Sequence, residues 1–154
     1  MAQPVTHDLK LTRVFDAPRQ LVFSAWTDPQ HVAKWWGPKD FTNPVCEVDV
    51  RPGGALYIVM RGPDGTEYPT RGVFDEVVVP ERLVMTATGF EDAAGAPRLE
   101  VRHTVTFDEH GGKTSLTLEA LVLKSTPETA ASVGGMREGW SQSLDRLADL
   151  LPAL

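Results

Sequence analysis

The sequence holds one cysteine, Cys46, so no internal disulfide can staple the chain. That usage fits a reducing compartment, and a cytoplasmic location is expected. No stretch approaches the roughly 18 consecutive apolar residues that a membrane helix needs. The opening residues, MAQPVTHDLKLTR, lack the apolar core of a secretory leader. No membrane partner is expected. Positive charge is also short: 15 Lys and Arg against 21 Asp and Glu leave a net charge of −6. Phosphate binding needs a clustered basic surface and none is visible, so nucleic acid is not expected as a partner. His7, His31, His103 and His110 are scattered without ligand spacing, so neither a metal nor a cofactor is expected. Phosphate-cradling glycine loops and the Gly-x-Ser-x-Gly nucleophile elbow do not occur. What is present is ordinary for a folded chain: 42% apolar and 23% charged residues over 154 positions. One domain over 1–154, with 1–8 as an N-terminal extension, follows from that length.

Turn residues divide the chain regularly. LKLTRVFD (9–16) alternates as a strand and ends at Ala17-Pro18. Arg19 to Thr27 reads as a helix. Asp28-Pro29 starts a second short helix, with Asp28 as N-cap, that stops at Gly37-Pro38. Strands are expected over 45–51, 56–61, 67–79, 83–89, 98–108 and 113–123. Pro63-Asp64-Gly65 is a hairpin turn, because Asp-Gly supplies the positive φ such turns need. Gly72 marks a bulge or a close approach of two backbones. Thr126-Pro127 opens a last helix running to Leu151, with Met136, Trp140, Leu144, Leu147 and Leu151 in one stripe. Gly134, Gly135 and Gly139 thin its first half, where each glycine costs about 1 kcal/mol of helix propensity. Hairpin-spaced strands flanked by helices predict an α+β fold with a curved antiparallel sheet of six to seven strands.

Several stretches resemble one family. They are LTRVFDAP (11–18), AWTDPQHVAKWWGP (25–38), VDVRPGGAL (48–56), MRGPDG (60–65), VVPERL (78–83), VTFDEHGGKTSLTL (105–118) and GMREGWSQSLDRLADLL (135–151). Together they span almost the whole chain. They are similar to the START/birch-pollen-allergen (SRPBCC) superfamily, and within it to the bacterial homologues of the activator of heat-shock protein 90 ATPase. The resemblance implies a helix-grip fold, with a hydrophobic cavity between the sheet and the C-terminal helix. It also implies the range of uses such cavities serve: carriers and sensors of lipids, sterols, hormones and aromatic compounds, and a few cyclases or dehydratases.

The cavity sets the expected site. Met136 and Trp140 should face it from the last helix, the Trp35-Trp36 pair should supply its rim, with Trp36 the better candidate for the ligand side, and Phe41 is a further lining candidate. Tyr57 and Val59 share one face of their strand, but alternation does not choose between that face and the one bearing Leu56, Ile58 and Met60. Arg71 and Val73 are candidates on the following strand, and Met85 on the one after it. His103 and Val105 lie on an apolar strand face. A lone histidine there is more often a core residue, yet it is the best candidate for acid/base work. Arg13, Arg61 and Arg71 suit surface ion pairs better than an anion site, and Cys46 suits an apolar filler better than a nucleophile. The expected function is binding of a small apolar or aromatic molecule, with a homodimer left open. An enzyme of cyclase, dehydratase or hydrolase type is the alternative. A chaperone-activating module is third, because the eukaryotic activator works through an additional N-terminal domain and only about eight residues precede the first strand here.

Overall fold

The computed structural model describes residues 8–154, so the expected extension over 1–8 lies outside the described residues apart from Asp8. Strand β1 (Leu9–Phe15) leads into helices α1 (Arg19–Thr27) and α2 (Pro29–Trp35). Strands β2 (Thr42–Val48), β3 (Ala55–Arg61), β4 (Glu67–Val78), β5 (Arg82–Glu91), β6 (Pro97–His110) and β7 (Lys113–Lys124) follow as a meander. A 3-10 turn (Pro127–Thr129), a short α3 (Ala130–Gly134) and the long α4 (Met136–Leu150) close the chain. The strands form one sheet in the order β1-β7-β6-β5-β4-β3-β2, antiparallel throughout. First and last strands are therefore neighbours, and β1 and β2 are the edges.

Local chemistry explains the breaks. The Asp28 carboxylate accepts a hydrogen bond from the Gln30 N–H at 2.9 Å and Pro29 holds the first helical position, so α2 starts where the sequence predicts. Strand β2 begins three residues earlier than expected and runs through Pro44. A proline is tolerated there because β2 is an edge strand, and the pairing shifts between Thr42 and Val45. Gly72 is a close approach: an added Cβ would stand 3.0 Å from the Thr86 carbonyl oxygen of β5. The bulge in β4 falls later, between Phe74 and Glu76. The last helical segment is not continuous from Thr126, because Gly135 ends α3 and caps α4.

Registers settle which face points inward. Leu9, Ala120, His103, Met85 and Phe74 form one row across five strands. Leu56, Gly72, Ala87 and Val101 form the next row, and Ile58, Thr70, Gly89 and Leu99 the one beyond. This concave face receives α1, α2 and α4. One end is filled by buried Leu83, Val105, Phe107, Leu116 and Leu118 against Val22, Trp26, Leu144 and Leu147. Burying a large apolar side chain contributes roughly 1.5–3 kcal/mol, so this end carries the stability of the domain.

Candidate functional site

The opposite end of the concave face is not filled. Ala87 and Gly89 carry little or no side chain, and Thr70 beside them is small. Helix α4 crosses above them, leaving an open cavity of about 750 Å³. Its stability comes from one half of α4 and its space from the other. Leu144 and Leu147 are fully buried in the core, whereas Met136, Gly139, Trp140 and Ser143, spaced by three and four residues, border the cavity. A Cβ on Gly139 would meet Pro38 Cγ at 3.8 Å, an ordinary contact, so a small side chain fits there while a large one would reach into the cavity that Gly139 borders. A Cβ on Gly134 would meet open space, so relief of crowding is not the role of that glycine.

Aromatic rings build the walls. Trp140 stacks on Trp26 at 5.8 Å and 15°, and meets Trp36 edge-on at 5.2 Å. Trp26 in turn packs against Trp35 at 4.7 Å. Trp35 is fully buried and donates its Nε1–H to the Ala25 carbonyl at 2.8 Å; Trp36 borders the cavity. On the far side Phe41, Tyr68 and Phe90 continue the lining, with Tyr68 centred 6.0 Å from Phe41 and 6.4 Å from Phe90. Phe90 sits at φ +55°, a left-handed conformation rare for a bulky residue.

The rim is fastened by a residue with no obvious motif. Arg146, two turns past Gly139, donates from one guanidinium nitrogen to the carbonyls of Trp36, Gly37 and Pro38 at 2.9–3.1 Å. Its other terminal nitrogen donates to the Lys34 carbonyl at 3.1 Å. These carbonyls lie at and just past the end of α2, and those of Trp36 and Pro38 also accept from Asn43 Nδ2 and the Phe41 N–H. The Gln142 side-chain oxygen accepts from the Lys39 N–H at 3.0 Å. The segment can fold under α4 only because Gly37 takes φ +97°, and a Cβ there would press Met60 Sδ at 3.0 Å.

His103 comes up from the floor. Its side chain is 7% exposed, and its ring meets Trp140 edge-on at 5.3 Å. Burial lowers its pKa to about 4, with no charged neighbour contributing, so the imidazole is neutral at pH 7.

The structure gathers Trp36, Phe41, His103, Met136 and Trp140 around the cavity. Tyr57 and Arg71 border its open edge only: they pair across β3 and β4 on the outer face, with the guanidinium 4.5 Å over the Tyr57 ring. Four expected lining residues do not reach it. Val59 and Val73 leave the sheet on its outer face, opposite Leu56 and Phe74 in parity, and Val73 is 45% exposed. Met85 and Val105 have the right face but stand in the filled end, packed in the core. Met60, Tyr68, Phe90, Leu99, Val101 and Ser143 line the cavity without having been singled out. The small residues at 87 and 89 on one strand face were the available signal.

The three arginines considered as anion sites are ion-paired: Arg13 with Asp145 at 2.5 Å, Arg61 with Glu67 at 2.7 Å and Arg71 with Glu91 at 3.3 Å. Burial pushes the Cys46 thiol up to about 11, which suits packing against the core and disfavours the thiolate a nucleophile requires. Among the described residues, no three His, Cys, Asp or Glu side chains are grouped to hold a metal ion. No helix among them is long and apolar enough to cross a membrane.

This architecture recurs in solved structures. A protein of Nitrosomonas europaea is 29% identical over 98% of this chain and 99% of its own, with a TM-score of 0.78. One from Chromobacterium violaceum is 31% identical over 93% and 95%, with a TM-score of 0.71. The AHSA1 protein of Silicibacter pomeroyi, at 24% identity over 94% and 97% and a TM-score of 0.78, shares the fold. No curated protein matches the chain. The family described as Activator of Hsp90 ATPase homolog 1-like protein matches residues 16–152. With its helix-grip fold and a match over nearly its full length, the chain belongs to that family, within the SRPBCC superfamily.

Proposed function

We propose that this protein binds a small apolar or aromatic molecule between α4 and the sheet, as a carrier, sequestering protein or sensor. The observation that carries this reading is the cavity itself. Its volume of about 750 Å³ falls within the range of roughly 300–1,000 Å³ typical of small-molecule sites. Its walls carry tryptophan, phenylalanine and tyrosine rings, with a minority of polar side chains such as Thr70, Arg71, Glu91, His103 and Ser143, a largely apolar lining of the kind such sites favour. The single cysteine makes the cytoplasm the natural place for it to act.

Thermal unfolding against a library of hydrophobic compounds tests the reading. A ligand present at a hundred times its Kd stabilises the folded state by about 2.7 kcal/mol. For a chain of this length that raises Tm by roughly 5–10 °C. A library of flat and branched apolar compounds that leaves Tm unmoved refutes it.

An enzyme using the same cavity is the second reading, and His103 is the residue behind it. Its pKa of about 4 makes it a weak base at neutral pH, and no charged group contributes to its titration. Both facts favour binding over acid/base chemistry.

A further inference from the structure

Among the described residues four polar side chains are buried: His103, Thr114, Thr129 and Ser143. Two are satisfied. The Thr114 hydroxyl donates to the Ala17 carbonyl at 2.7 Å, and the Thr129 hydroxyl to the Thr126 carbonyl at 3.0 Å. The other two, His103 at 7% exposure and Ser143 at 3%, make no side-chain hydrogen bond among the described residues, and they are not among the fully enclosed orphans (Trp26 Nε1, His31 Nδ1, Asn43 Oδ1 and Thr126 Oγ1), so their polar atoms keep some accessible surface. These two are also the ones that border the cavity. An unpaired buried polar group costs free energy, so such groups are normally satisfied by something. Here the space beside them is ligand-sized.

Their placement defines what would satisfy them. His103 rises from β6 and Ser143 descends from α4, one turn after Trp140, whose ring lies against His103. A neutral imidazole offers one donor and one acceptor nitrogen, and a hydroxyl offers both functions. The matching ligand group also both donates and accepts. It carries no charge, because Arg71, the one cation bordering the cavity among the described residues, is engaged by Glu91.

We propose that the ligand is a flat aromatic or polycyclic molecule bearing a neutral hydroxyl, and that His103 and Ser143 hold that hydroxyl beside the Trp140 ring. This deepens the binding reading above and rests on it. Burial keeps the imidazole neutral, which leaves one ring nitrogen free to accept from the hydroxyl.

The test uses three probes of one shape, naphthalene, 2-naphthol and 2-naphthoate, titrated at pH 7 against the whole protein with tryptophan fluorescence as readout. The quantity compared is the ratio of the naphthalene Kd to the 2-naphthol Kd. In His103→Leu that ratio should drop about tenfold from its wild-type value, the loss of one good hydrogen bond, while naphthalene binding stays within about twofold. Ser143→Ala should lower the ratio several-fold, and His103→Gln, which keeps a donor and an acceptor, should retain part of the preference. Circular dichroism establishes that each variant is folded, and Ser143→Ala carries the test should His103→Leu not fold. 2-Naphthoate should bind at least tenfold more weakly than 2-naphthol. A ratio unchanged in both His103→Leu and Ser143→Ala overturns the hydroxyl assignment while leaving the cavity as a binding site. Tighter binding of 2-naphthoate overturns it too. Failure of all three probes to bind removes the binding reading and this inference together.

Discussion

Lowering the pH from 7 to 5 should destabilise this protein through His103. Its pKa in the fold is about 4, against 6.5 for an unperturbed histidine, and burial alone is the cause. Above pH 6.5 the residue is neutral in both folded and unfolded chains and contributes no pH dependence. As pH falls below 6.5 the unfolded chain takes up the proton first, so unfolding is favoured. The loss is complete only below pH 4, where the folded chain is protonated as well. Between pH 7 and pH 5 the difference in proton uptake amounts to about 2 kcal/mol, and its limit below pH 4 is about 3 kcal/mol. Urea unfolding at pH 7, 6 and 5 measures it; with m near 2 kcal/mol/M, the midpoint should fall by roughly 1 M over that range. Asp64, Asp92 and Glu128 have pKa values lowered chiefly by hydrogen bonds, so they also favour the folded state less as pH drops. His103→Leu keeps those carboxylates and removes the imidazole, so the difference between the two pH profiles belongs to His103. Profiles that run parallel within about 0.5 kcal/mol from pH 7 to 5 would show that the ring is solvated in the fold and that the floor of the cavity is wet.

Arg146→Ala should remove a donor from four carbonyls at once, leaving those of Trp36 and Pro38 with Asn43 Nδ2 and the Phe41 N–H and those of Lys34 and Gly37 without the guanidinium. The expected cost is on the order of 2–3 kcal/mol, with faster amide exchange over residues 36–41; unchanged exchange there would mean the rim stands without it. Gly139→Ala should raise stability by up to about 1 kcal/mol in urea unfolding, because the new Cβ meets Pro38 only at an ordinary contact distance. Gly139→Leu should fold yet abolish thermal stabilisation by any cavity ligand, and a retained shift would place the ligand elsewhere. Leu147→Ala, at a fully buried position, should cost about 2–5 kcal/mol by thermal or urea unfolding whether or not ligand is present.

The elements and their order were legible because their signals are local. Alternation marks β1 and β6, Asp28-Pro29 marks the start of α2, and Asp64-Gly65 marks a turn, each within a few residues. The cavity is legible only in part, because it is defined by what is missing from one face of a sheet. Alternation says that Tyr57 and Val59 lie together, and says nothing of whether they face helices or solvent when the other face is apolar as well. Strand pairing resolves that, by placing Leu56 in the row that continues through Gly72 and Ala87 to Val101. Even then the right face does not suffice, since Met85 and His103 are direct partners in adjacent strands and only His103 borders the open space. The fastening of the rim is less legible still. Arg146 reads as one more charged helix residue, and its partners are backbone carbonyls 108 to 112 positions earlier, which no side-chain pattern announces. The glycines near α4 divide as well: Gly135 breaks the helix through its own backbone geometry, whereas Gly139 borders the cavity, a place that only the packing of α4 over the sheet reveals. A helix anchored by Leu144 and Leu147 at one end and tied to the rim by Arg146 holds its Trp140 end over unfilled space. The fold can leave that end unfilled because its stability resides elsewhere, and the proposed ligand could therefore come and go without the domain unfolding.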